Sequence, residues 1–168
     1  MNRPTFLRTL SVIAAVLTAV GMLMNIIIVL NPHIAAILMG YGSIKDLMET
    51  NFDKKTEMLL LIQAAIPTIM LILCGIGCFA DKISKKRSLL MLISTFCGYI
   101  LMTVTVSFVY TIAIRSAASV NIETVQLLSS ITSVRGLLSY LYVFSFVIIM
   151  CANSVEYYIA HEKSNTAI

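Results

Sequence analysis

A carboxylate inside an apolar run is the first residue of this chain that could do chemistry. Glu156 lies in NSVEYYIAHEK, with Asn153 three positions earlier and so on the same helical face. An acid surrounded by lipid could hold a proton or a cation. It also stands beside Tyr157 and Tyr158, residue types that favour the membrane–water boundary, and close to the charged tail. The cost of a charge falls towards that boundary, so the pattern predicts an interfacial, solvated Glu156.

Thr95, Tyr99, Thr103, Ser107 and Thr111 recur at four-residue intervals. Successive members turn by about 40° around a helix, which makes one winding stripe. The stripe could line an aqueous path, with Asn153 and Glu156 near one mouth. No ionisable group joins it, and Ser and Thr in membrane helices more commonly bond backbone carbonyls or bridge a neighbouring helix. Packing is therefore the preferred reading. Asn25 is a lone amide in an apolar run and predicts an interhelical hydrogen bond. Cys74, Gly75 and Cys78 form a small-residue surface suited to close helix approach.

Signatures of catalysis are missing from the sequence. It holds no G-x-S-x-G, no P-loop and no H-E-x-x-H, and His33 and His161 stand alone. Cys74, Cys78, Cys97 and Cys151 all sit in apolar runs, where cysteine behaves as a small hydrophobe. The C-x-x-x-C spacing of Cys74 and Cys78 is neither a redox nor a metal motif. No catalytic residue, cofactor or metal is expected. Gly40-Tyr41-Gly42 resembles the core of the potassium-channel filter over three residues only. Leu38 and Met39 stand where that family has Thr-Val, and nine residues after Leu30 leave little room for a pore helix. A glycine turn is the simpler reading.

These residues need elements to hold them. The chain has 168 residues, 59% hydrophobic and 12% charged, against about 25% charged in soluble domains. Four runs are long enough to cross a bilayer, at about 10–30, 58–80, 88–114 and 137–160. All must be helical, because lipid offers backbone groups no partner. The expected fold is all-α: one membrane domain over residues 1–168, a four-transmembrane-helix bundle with short extracytoplasmic helices. The first run exceeds the apolar core of a secretory leader and lacks an A-x-A site, so it reads as a retained helix. Pro67 should kink the second span.

The linkers carry further signals. Asn31-Pro32 reads as an N-cap with proline at the first helical position, starting a short interfacial helix over 32–39. Ser43 and Asp46 suggest a capping box for another short helix over 44–49. Residues 119–136 either form an amphipathic surface helix or extend the fourth span outward; the sequence leaves both open. The linker 81–87 (DKISKKR) makes spans two and three a hairpin.

With four spans, Arg3, Arg8, Lys82, Lys85, Lys86, Arg87 and Lys163 share one side. Lys45, Lys54, Lys55, Arg115 and Arg135 share the other, which has much more loop. The positive density predicts cytoplasmic N- and C-termini in a plasma or inner membrane. The net charge of +4 is not pooled into a nucleic-acid patch. The partners expected are the lipid bilayer and either another membrane protein or further copies of the chain. The function expected is association, as a complex subunit or homo-oligomer, with a small channel or transporter along the third helix as the alternative.

Overall fold

A computed structural model describes residues 3–39, 54–117 and 122–166. The elements are α1 (Thr5–Leu30), α2 (Pro32–Leu38), α3 (Lys54–Ala65), α4 (Thr68–Phe79), α5 (Lys85–Ala117) and α6 (Ile122–Thr166). No strand occurs among the described residues. Thr5–Leu30, Lys54–Phe79, Lys85–Ala113 and Val125–Glu162 are each long and apolar enough to cross a membrane. The chain is thus a multi-pass, all-α membrane protein.

The local signals explain the breaks. Pro32 occupies the first turn of α2, where its missing N–H costs nothing. Pro67 separates α3 from α4. It has no N–H to give the Gln63 carbonyl, which instead accepts the N–H of Ile66 at 3.4 Å. Helix α6 settles the open question over its described part, residues 122–136. It is continuous over 45 residues, about 67 Å at 1.5 Å per residue, and overshoots a hydrocarbon core of about 30 Å. The fourth span therefore continues as a helix beyond the length a hydrocarbon core needs. The glycine triplet 40–42 and the capping box at Ser43 and Asp46 lie outside the described residues.

Along α1 and along α3 with α4, buried positions trace the spacing of a coiled-coil seam, three and four residues in alternation. On α1 the seam is Leu7, Ser11, Ala14, Thr18, Gly21, Asn25 and Ile28, with Val29 buried beside its end. Across α3 and α4 the seam is Thr56, Leu60, Gln63, Pro67, Met70, Cys74 and Gly77, with Ala64 buried beside Gln63. Small, hydroxyl and amide residues are frequent in both seams. That composition suits lipid, where helices associate by close packing and hydrogen bonds and gain no hydrophobic advantage over lipid tails.

Two compact units divide the chain: residues 1–20, 67–102 and 141–168 form one, and 21–66 and 103–140 the other. In the first, Ala14, Cys74 and Ile149 make the apolar core, and Tyr99 stacks on Phe146 with centroids 4.3 Å apart. In the second, Ile28, Leu60, Ala64, Leu128 and Ile131 lead a larger core.

Candidate functional site

The first unit contains a buried charge cluster. Glu156 and Arg3 each expose only 1% of their side chains, and Arg3 Nε donates to Glu156 Oε2 at 2.8 Å. Arg87 Nη2 donates to Glu156 Oε1 from a side chain 27% exposed. Arg3 also gives Nη1 to the Gly77 carbonyl and Nη2 to Ser11 Oγ at 3.2 Å, and its backbone N–H bonds the Asp81 carbonyl at 2.8 Å. One guanidinium thereby ties the N-terminal segment to α1, to the end of α4 and to α6. Arg87 adds the start of α5. The planar fork of arginine suits this task, because it presents several donors in fixed directions to acceptors on different helices. The ion pair Arg8–Asp81, 2.7 Å, is exposed and contributes little.

A hydroxyl cluster lies in the same unit. Ser145 Oγ donates to the Ala14 carbonyl at 2.8 Å, and Thr18 Oγ1 lies 2.6 Å from Ser145 Oγ. Cys74 Sγ is 3.7 Å from Ser145 Oγ. These groups join α1, α4 and α6 through atoms that would otherwise be costly to bury in lipid.

The second unit has its own polar centre, on Arg135. Its Nε donates to Asn25 Oδ1 at 3.1 Å and its Nη1 to Gln63 Oε1. Gln63 Nε2 in turn donates to the Val106 carbonyl at 3.0 Å, and Asn25 Nδ2 to the Gly21 carbonyl at 3.0 Å. Asn25 on α1, Gln63 on α3, Val106 on α5 and Arg135 on α6 make one network touching four helices. Both buried amides stand at seam positions, which is why they meet.

Several expectations change. Glu156 is sealed and clamped between two arginines, where the sequence pattern predicts it solvated; the attraction of the arginines offsets the desolvation cost on which the argument from depth rested. Asn153 is buried on the same face. The five-residue stripe does not stay on one surface. Thr95 is buried and Tyr99 half-buried, whereas Thr103, Ser107 and Thr111 are exposed. Ser107 Oγ donates to the Thr103 carbonyl and Thr111 Oγ1 to the Ser107 carbonyl, each at 2.9 Å. The 40° drift per step carries the stripe off the core within a few turns.

The small-residue surface is likewise shifted. Cys74 is buried and Cys78 half-buried, but a Cβ on Gly75 would meet nothing within 4 Å. The close approach is at Gly77, where a Cβ would fall 2.8 Å from Ser11 Oγ. Sequence reasoning missed Arg3, Arg87, Arg135, Gln63 and Gly77 as interior contacts. The signal for the last two was available in the seam spacing from Gln63 through Pro67, Met70 and Cys74 to Gly77.

Among the described residues no three His, Cys, Asp or Glu side chains come together as a metal-binding group. No family model, characterised protein or solved structure matches the chain.

Proposed function

We propose that the chain works by association within the membrane, as a subunit of a larger complex or as a homo-oligomer, without catalysing a reaction. The observation that carries this reading is the exposed row Thr103, Ser107 and Thr111 on α5. Buried Val109 is two residues beyond Ser107 and so about 200° around the helix from it. The row therefore points away from the chain's own core, amid exposed Val104 and Phe108. Small hydroxyl residues on the outer face of a spanning helix allow another helix to approach closely. The polar groups in the interior support the same reading, since the hydrogen bonds of Glu156, Arg3, Ser145 and Gln63 join helices of this chain to one another.

Gentle extraction from the native membrane followed by mass measurement tests this. The wild-type chain is expected to travel in a particle heavier than its own 18.5 kDa, and T103L/S107L/T111L to fall to the single-chain mass. A wild-type chain that travels alone ends the proposal. The alternative, a channel or transporter, rests on a buried acid in a spanning helix, which in general marks an ion or proton pathway. Ion flux through liposomes carrying the purified protein decides for it; the association reading expects none. For orientation, the charge asymmetry supports cytoplasmic termini. Exposed Ser84, in the basic linker, replaced as Ser84→Cys in a cysteine-free background, is expected to react with an impermeant thiol reagent only from the cytoplasmic side.

A further inference from the structure

The charge cluster of the first unit is not electrically balanced. Two arginines meet one carboxylate at Glu156, which leaves one positive charge. Arg3 is sealed, so the excess is felt at Arg87, the partly exposed member. Arg87 gives Nη2 to Glu156, and among the described residues no other acceptor takes its remaining N–H groups. Lys82, Lys85 and Lys86, in the linker and first helical turn that lead to it, are exposed, and none of them is within ion-pair distance of a described carboxylate. Lys85 Nζ lies 5.9 Å from the centre of the Tyr157 ring, which holds its charge against α6. Of the exposed acids in this unit, Asp81 is engaged by Arg8, and Glu162 lies on α6 six residues beyond Glu156.

Large apolar and aromatic side chains are exposed in the same unit. Phe79, at the end of α4 and only three residues from Lys82, is 87% exposed, and Tyr158, next to Tyr157, is 67% exposed. Rings and ammonium groups presented together fit the headgroup layer of a bilayer, where the rings enter the interface and the cations meet phosphate. Phe79 closes the membrane-spanning stretch Lys54–Phe79, so the lysines that follow it stand at the headgroup layer, where phosphate is the acceptor within reach.

We infer that Lys82, Lys85, Lys86 and the free edge of Arg87 form a binding surface for the phosphate headgroup of an anionic phospholipid. Arg87 would bridge Glu156 and the phosphate, so the bound lipid neutralises the charge left over in the cluster.

The test is native mass spectrometry of the full chain in neutral detergent, titrated with phosphatidylglycerol, with phosphatidylcholine, and with phosphatidylglycerol in the presence of inorganic phosphate. Each basic residue near an anionic surface is worth about fivefold in affinity. K82Q/K85Q/K86Q is therefore expected to bind phosphatidylglycerol about a hundredfold more weakly, with phosphatidylcholine binding unchanged. These three side chains are exposed, so the fold should survive, and the wild-type protein offers a check that needs no variant: phosphatidylglycerol binding should weaken as salt rises. Equal binding of the two lipids, or a triple variant that binds phosphatidylglycerol like wild type, overturns the inference. So does displacement of the lipid by an equal concentration of inorganic phosphate, because the surface would then read a free anion.

Discussion

Glu156→Gln is expected to destabilise the folded chain by about 3–5 kcal/mol, the usual cost of removing one partner from a buried ion pair. The carboxamide keeps an oxygen for one arginine and turns an NH2 group towards the other. The loss of hydrogen bonding is thus modest, on the order of 1.5–3 kcal/mol for a bond to a charged group. The larger effect is electrostatic. Arg3 is 1% exposed on its side chain and has no route to solvent, so without the carboxylate its charge stays buried beside that of Arg87. Glu156→Asp retains the charge and shortens the reach by one methylene, and it should fall between wild type and Glu156→Gln. Equilibrium unfolding in mixed detergent–SDS micelles gives the numbers. A double-mutant cycle with Arg3→Gln should show the two changes to be strongly non-additive, since each removes the same contact. A loss below about 1 kcal/mol for Glu156→Gln would return Glu156 to the solvated surface.

That outcome bears on what the sequence could reveal. The four spans were legible because a bilayer imposes length and apolarity on every segment that crosses it, and Pro67 and Asn31-Pro32 were legible because proline acts locally. Asn25 was recognisable as a hydrogen-bonding residue for the same reason: an amide in hydrocarbon must find a partner. Its partner was not recognisable. Arg135 is 110 residues away along the chain and reads in sequence as a flanking charge that sets orientation. Arg3 and Arg87 mislead in the same way. A charge near the end of a span belongs to the interface unless another helix presents it with an opposite charge, and that depends on which helices are neighbours. The depth argument for Glu156 was sound for a single helix and failed because two other segments bring arginines to it.

The stripe on α5 fails for a geometric reason. Four-residue spacing gains on the 3.6-residue turn, so its members drift off any fixed face, whereas alternating threes and fours average 3.5 and keep nearly in phase. Reading for the second spacing picks out Leu7, Ser11, Ala14, Thr18, Gly21, Asn25 and Ile28, all buried on α1. The seam was present in the sequence and was hidden by its composition, because in lipid hydrophobic residues stand on both faces and only the small and polar ones distinguish the inward face.

The same phase gives opposite signs for two neighbouring glycines. Gly77→Ala is expected to destabilise by about 1–3 kcal/mol, the range for a methyl group forced into a packed interior. The new Cβ would sit 2.8 Å from Ser11 Oγ and 3.2 Å from Ser11 Cβ. Ser11 cannot turn aside freely, since its hydroxyl donates to the Leu7 carbonyl at 3.0 Å and accepts from Arg3 Nη2 at 3.2 Å. Relief would have to come from separating α1 and α4, which would also pull the Gly77 carbonyl from Arg3. Gly75→Ala, two residues earlier on the same helix, meets nothing within 4 Å and should stabilise by about 0.5–1 kcal/mol through reduced backbone freedom in the unfolded chain. Ser11→Gly removes both clashing atoms, so Gly77→Ala in that background should cost far less than in wild type. Ser11→Ala leaves the Cβ at 3.2 Å and should rescue only in part. Thermal unfolding in detergent, run on the two alanine variants and both Ser11 backgrounds, separates steric crowding from any general intolerance of α4: if Gly75→Ala proves as damaging as Gly77→Ala, the two faces are not distinguished by the contact with Ser11 and the seam assigned to α4 is out of register.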